Sequence, residues 1–102
     1  MDDVMQLGGS INLTGFRDVD GSSMVVLKKI IGNYAKRMSD ISDKFESLSV
    51  TMKPVHGTEK SEKYEMHAKL MDNGKPFVSE VVDRNLFVAV DSVLKKIVNE
   101  IS

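Results

Sequence analysis

Alternating residues around the dipeptide Asn73-Gly74 restrict this chain more than any other feature of its sequence. Asn-Gly is typical of two-residue hairpin turns, because both central positions of a type I′ turn need a positive φ. Before the dipeptide, apolar or small side chains occupy every second position, which predicts a strand with one buried face. These inward residues are Tyr64, Met66, Ala68 and Leu70. After it, the segment PFVSEVV predicts the returning strand of a β-hairpin.

Two more segments alternate in the same way and predict two more strands. One covers roughly residues 10–16, and the other is the segment FESLSVTMKPV. Their inward-facing residues are Ile11, Leu13, Gly15, Leu48, Val50 and Met52. Pro54 cannot donate a ladder hydrogen bond, so it predicts the end of regular pairing or a sheet edge. The following residues 56–62 are predicted to be a polar connector.

Apolar residues at three- and four-residue steps predict two amphipathic helices. The first follows Ser22 or Ser23, either of which is a good N-cap, and ends near residues 39–41. The second covers about residues 84–100, with Asp83 as its predicted cap. Their apolar stripes are Leu27, Ile30, Ile31, Tyr34, Met38 and Ile41 in the first helix, and Leu86, Val90, Val93, Leu94, Ile97 and Ile101 in the second.

The element order β-α-β-β-β-α predicts an α+β two-layer sandwich. Three consecutive strands favour an antiparallel meander that the first strand joins at an edge, giving a four-stranded, mostly antiparallel sheet. Because each helix has a single apolar face, both should pack on one face of this sheet. The 102 residues bound the chain at one domain, expected over residues 10–102 behind a flexible leader at residues 1–9. The expected common core is Leu27, Ile31, Tyr34, Met38, Met66, Leu70, Val90, Leu94 and Ile97.

Composition and charge exclude several classes of protein. The net charge of −1 provides no global attraction to nucleic acid, so only local basic patches could bind it. The chain has no cysteine, which excludes disulfides and fits a cytoplasmic protein. The acidic start resembles no signal peptide, and no apolar run reaches the ~20 residues that a membrane span needs.

The sequence contains no constellation typical of an enzyme, a metal site or a cofactor site. It has no nucleophile elbow and no phosphate-binding glycine loop. His56 and His67 are too few for a metal site and have no cysteine partners. The segment DVDGSS fails as a calcium loop, because the first and twelfth ligand positions would be Phe16 and Leu27. We therefore expect no catalysis, no cofactor and no small-molecule substrate.

The first helix is the best candidate site for binding. Between residues 22 and 39 it has four basic residues and no acid, namely Lys28, Lys29, Lys36 and Arg37. Lys28, Gly32 and Lys36 are four residues apart and so follow one ridge of the helix. A solvent-facing glycine between two lysines would let a phosphate backbone approach closely. The structural alternative is a solvated basic face in which the glycine is a harmless defect.

Three more cations belong to the second helix. Lys95 and Lys96 lie where cations interact favourably with the negative end of a helix, and Asp91 can pair with Lys95 at i,i+4. That structural interpretation suffices for Lys95. Arg84 stands at the helix start, where a cation is unfavourable unless Asp83 or a phosphate offsets it. Phe87 is expected to be structural, and Asp91 to be structural or to orient Lys95.

The segment DNGKPFVSEVVDRNLFVAVDSVLKKI resembles the ribosome hibernation promoting factor family, also called ribosome-associated inhibitor A. In that family an Asn-Gly hairpin leads to a strand and then to a helix with an aromatic, an Ala, an Ile or Val, an Asp and a later Lys at fixed offsets. The matching positions here are Phe87, Ala89, Val90, Asp91, Lys96 and Ile97. The element order extends the resemblance over almost the whole chain.

The resemblance implies a fold similar to double-stranded RNA-binding domains and a partner, the small ribosomal subunit. Family members bind its ribosomal RNA near the decoding region and inhibit translation by steric occlusion during stress, using basic residues of both helices. The RNA-binding candidates here are Lys28, Lys29, Lys36, Arg37, Arg84, Lys95 and Lys96. The family often has more cations late in the second helix, where this chain has Val98, Asn99 and Glu100.

Two other functions remain open from the sequence. A protein-interaction module would use the polar outer sheet face, and the near-neutral charge favours it. That face is expected to carry Ser47, Ser49, Thr51, Glu65, His67 and Lys69. A free-standing binder of double-stranded RNA is the third candidate. The sequence does not imply a homodimer, and it does not exclude one.

Overall fold

The computed structural model describes residues 4–6, 10–55 and 63–102. Its elements are β1 (Val4–Gln6), β2 (Ile11–Thr14), α1 (Gly21–Ile41), β3 (Phe45–Val55), β4 (Lys63–Asp72), β5 (Lys75–Asp83) and α2 (Leu86–Ile101). The α+β order predicted from the sequence is confirmed, and β1 is an additional short strand. The predicted connector at residues 56–62 lies outside the described residues.

The strands form one mixed sheet in the order β1-β2-β3-β4-β5. β2 and β3 are parallel, as the intervening helix α1 allows, and the other neighbours are antiparallel. β2 to β5 are the four predicted strands. The expected edge position of β2 is taken by β1, whose Val4 lies opposite Thr14. The segment expected to be a leader therefore contains a paired strand, and the rest of residues 1–9 is outside the described residues.

Both helices pack on the same face of the sheet, as predicted. α2 lies over β4 and β5 and beside α1, and α1 also contacts β3. Because α1 and α2 follow strands that point the same way, the two helices run roughly parallel. All the expected core residues are buried except Tyr34, which is half-buried and packs against the core. Phe16, just beyond β2, is also completely buried.

The helix caps differ from the sequence-based predictions by two or three residues. Asp20 caps α1, and its Oδ2 accepts hydrogen bonds from Ser23 N at 3.0 Å and from Ser22 Oγ at 2.6 Å. The predicted Ser22 or Ser23 cap is therefore wrong. Asn85 caps α2, accepting from two backbone amides, while Asp83 accepts from the Asn85 amide at 2.8 Å. In both cases the cap is the extended residue directly before the first helical turn.

The Asn73-Gly74 hairpin is confirmed. Asn73 has a φ of 52° and Gly74 a φ of 81°, the left-handed pair that a type I′ turn needs. Gly74 N also donates to Glu46 Oε1 at 2.8 Å, and Asn73 N donates to Lys44 O at 2.9 Å. The turn is thus fixed both by its own backbone and by the start of β3.

β2 ends at Thr14, two residues before the predicted end. Gly15 adopts a φ of 86°, and a Cβ placed there would lie 2.1 Å from the Met52 carbonyl oxygen. A side chain would not fit between these two backbones. Glycine is therefore required at the point where the chain leaves the sheet. Within the described ranges, neither helix has the length and apolarity that crossing a bilayer requires.

Candidate nucleic-acid interface

The solvent side of α1 carries its four cations. The core-facing residues of α1 are Met24, Leu27, Ile31, Ala35 and Met38. At 3.6 residues per turn, they determine which of the other side chains face solvent. Lys28, Lys29, Lys36 and Arg37 are exposed as a result. None of them forms an ion pair with a carboxylate of the described residues.

Gly32 separates Lys28 from Lys36 on this surface. A Cβ placed at Gly32 would have no neighbour within 4 Å, so packing does not require a glycine here. At 1.5 Å per residue, the two lysines are about 12 Å apart along the helix axis. We call the ridge of Lys28, Gly32 and Lys36 the α1 ridge. On it, a bare strip of backbone at Gly32 lies between two ammonium groups that have no carboxylate partner among the residues described.

A hydrogen bond joins the two helices beside this surface. Tyr34 Oη donates to Asp91 Oδ1 at 2.9 Å. Burial raises the pKa of the Tyr34 hydroxyl, and the bond to Asp91 raises it further. Arg37 is close enough to oppose that shift in the pKa of Tyr34. Asp91 thus positions α2 against α1, and no ion pair with Lys95 is found among the described residues.

Lys95 and Lys96 lie on different sides of α2. Lys95 is one turn beyond Asp91 and so shares the side that faces α1. Lys96 is rotated by about 140° from Asp91, at 100° per residue. Its Nζ donates to the backbone oxygen of Glu80 in β5 at 3.2 Å. The structure therefore separates the two neighbouring lysines.

The seven candidate cations are consequently dispersed over the helix layer. Lys28, Lys29 and Lys36 lie on the open side of α1, and Arg37 and Lys95 lie near the contact between the helices. Arg84 is exposed in the short connection before α2, next to the Asn85 cap. Lys96 lies at the β5 side. The α1 ridge is the part of the set in which two lysines lie along one ridge of one helix, about 12 Å apart along its axis.

The outer face of the sheet is the second polar surface. It has a shallow concavity of about 450 Å³, lined by Ser49, Thr51, His67, Ala68, Lys69, Val78, Ser79 and Glu80. His67 is hydrogen-bonded to Glu65, and its Nδ1 lies 3.9 Å from Glu80 Oε1. Lys69 and Glu80 place charges of both signs on this face, unlike on the α1 ridge. The described residues contain no group of three or more side chains suited to a metal ion.

Comparison with known proteins gives a fold relationship. No family model matches the chain, and no curated protein matches it. Among solved structures it is similar to the N-terminal domain of Protein Y from Thermus thermophilus, with a TM-score of 0.58 and 14% identity. The match covers 95% of this chain and 96% of the other. The two chains share a fold, and at 14% identity the likeness extends to the fold alone.

Proposed function

We propose that this protein binds ribosomal RNA of the small ribosomal subunit near the decoding region and inhibits translation by steric occlusion. The observation that carries the proposal is the α1 ridge, where two exposed lysines flank a bare glycine and form no ion pair with any carboxylate in the described part of the chain. The resemblance of residues 72–97 to the ribosome hibernation promoting factor family supports the choice of partner. The shared fold with the Protein Y domain agrees with the fold that this resemblance implies.

Binding would depend on phosphate contacts. Lysine and arginine contacts to phosphates release counterions and read no base sequence, so they provide affinity and orientation. Specificity would come from a cleft that accepts a rigid two-layer domain of this size. The protein acts by occupying space that messenger or transfer RNA needs when growth slows, and the proposal involves no catalysis. We place this action in the cytoplasm, with the ribosomes.

The proposal is tested by charge reversal on two faces of the same protein. Lys28 and Lys36 are both changed to Glu in one variant, and Lys63 and Lys69 of the sheet are changed to Glu in a matched control. All four lysines are exposed, so both variants should fold and both change the net charge equally. In a pelleting assay with small subunits, the ridge variant should lose affinity on the order of 100-fold, because each charge-assisted contact contributes about 1.5 kcal/mol. The control should bind like the wild type.

Salt provides a second measurement on the wild type. With about five phosphate contacts, through Lys28, Lys36, Arg37, Arg84 and Lys96, affinity should fall on the order of 100- to 500-fold between about 50 and 200 mM monovalent salt. Magnesium in ribosome buffers will reduce this factor. A ridge variant that folds by circular dichroism and still pellets with wild-type affinity would contradict the proposal.

A sucrose gradient separates the alternatives. Comigration with small subunits supports the proposed function. Binding only to bare duplex RNA would instead indicate a free-standing double-stranded RNA binder. Binding to neither would favour the protein-interaction module, whose docking surface would be the outer sheet face around Ser49, His67 and Lys69.

A further inference from the structure

β5 has one side without a neighbouring strand in the described sheet. Every second residue of β5 directs its backbone N–H and C=O groups to that side. In the described sheet β5 is the last strand and has β4 as its neighbour. The two-residue turn pairs Asp72 directly with Lys75, and the register continues without a bulge to Tyr64 and Asp83. Residues flanking such a turn exchange hydrogen bonds, so every second residue from Lys75 points its backbone groups at β4. The backbone groups of residues 76, 78, 80 and 82 therefore point away from the sheet.

Two features obstruct this free edge. Pro76 has no amide hydrogen, and it occupies one of the outward positions. Lys96 Nζ donates to Glu80 O, which shows that this carbonyl points outward and places the ammonium group on the side from which another strand would approach. Proline and lysine are the residues by which proteins commonly prevent pairing at sheet edges.

The rest of the edge is suited to pairing. Val78 and Val82 have outward amides, and their side chains are 59% and 52% exposed. An edge with free backbone groups and exposed β-branched side chains is a template for another strand. The obstruction thus depends on one proline and one flexible lysine.

We propose that the free edge of β5 is a latent pairing surface for a second copy of this chain, and that Lys96 keeps it closed. If the β5 strands of two copies pair antiparallel about a two-fold axis at Ser79, Lys75 of each copy lies opposite Asp83 of the other. The arrangement therefore contains two such pairs. The charges of the edge are thus complementary to themselves, which favours a second copy over an unrelated strand. The same arrangement places Val78 opposite Glu80 as a hydrogen-bonded pair.

Lys96 blocks the central bond of this arrangement. The Val78 amide of the second copy would donate to Glu80 O. Lys96 Nζ already donates to this oxygen and lies in the path of the incoming strand. Pro76 would lie opposite Val82, and the missing amide hydrogen removes one bond from each half. With both obstructions present, two copies do not pair through this edge. Withdrawal of Lys96 restores the two central bonds, in which the Val78 amide of each copy donates to Glu80 O of the other.

The test compares Lys96→Met with Lys95→Met by sedimentation equilibrium over a range of protein concentrations, without RNA. Both variants lose one exposed lysine, and Lys95 makes no described contact with β5. We expect Lys96→Met to dimerise with an association constant at least about tenfold that of Lys95→Met, a difference of about 1.4 kcal/mol. Adding Pro76→Ala should increase dimerisation further, because it restores an outward amide.

Hydrogen exchange identifies the surface involved. In the dimer the amides of Val78 and Glu80 should become protected, while that of Lys95 should not change. A Lys96→Met variant that stays monomeric like Lys95→Met overturns the proposal, and so does a dimer that leaves these two amides unprotected. If Lys96→Met fails to fold by circular dichroism, Lys96→Ala and its control Lys95→Ala replace the two methionine variants under the same criteria, because alanine has no hydrogen-bond donor.

Discussion

The two helices lie side by side on one face of the sheet, yet they contribute differently. α2 has six buried residues among 16, and its Asp91 and Lys96 bond to α1 and β5. α1 has five buried residues among 21, and its open side carries lysines without carboxylate partners in the described ranges. α2 therefore mainly stabilises the fold, whereas α1 also offers a surface for a ligand. The same comparison shows how a chain with a net charge near zero can still present a locally basic surface.

The largest expected effect concerns the buried side of α2. Leu94 is completely buried, so Leu94→Ala should reduce the free energy of unfolding by about 2–5 kcal/mol through lost burial and a cavity. Val25→Ala on the open side of α1 is the control, because Val25 is 57% exposed and should cost at most about 0.5 kcal/mol. Urea denaturation measures both. A loss below about 1 kcal/mol for Leu94→Ala would contradict the packing of α2.

The next effect separates stability from binding on α1. Gly32→Ala should raise the free energy of unfolding by up to about 1 kcal/mol, since the added methyl meets open space and alanine favours helix. If the glycine admits a phosphate backbone, the same variant should bind small subunits more weakly. Gly21→Ala in the first turn adds the same methyl in open space away from the lysines. A more stable Gly32→Ala with wild-type affinity would show that the bare strip has no part in binding.

The smallest effect distinguishes the two caps by pH. The hydrogen bond from the Ser22 hydroxyl, followed by those from Ser23, lowers the pKa of Asp20 from 3.8 to about 2. A carboxyl with a lowered folded-state pKa stabilises the protein above its unfolded pKa, and this contribution is lost as pH falls from about 4 through 2. The α2 cap, Asn85, does not titrate. The free energy of unfolding should therefore fall more between pH 4 and 2 in the wild type than in Asp20→Asn, and equal slopes would contradict the α1 cap.

The features predicted correctly from the sequence were local ones. Asn73-Gly74 specifies its turn through its own backbone preferences, and the apolar stripes of both helices specify which side is buried. Given the order of elements, the two helices have few ways to pack with their apolar sides on one face of the sheet. The solvent exposure of Lys28 and Lys36 followed from the same periodicity, so the α1 ridge could be predicted from the sequence.

The features that were missed depend on distant or competing partners. Tyr34 and Asp91 meet only when the helices pack, and Lys96 reaches Glu80 only because α2 lies over the last strand. The caps were misplaced because several polar residues precede each helix, and only the backbone conformation decides among them. β1 is too short for alternation to identify, and its pairing depends on β2.

The parallel pairing of β2 with β3 also determines the order in which the chain can fold. The β4–β5 hairpin needs only a two-residue turn, so it closes at little entropic cost. Ile11 pairs with Leu48 across a connection that contains the whole of α1. Such non-local contacts slow folding, because the loop must close before they stabilise it. We therefore expect the meander of β3 to β5 to form before the N-terminal strands join it.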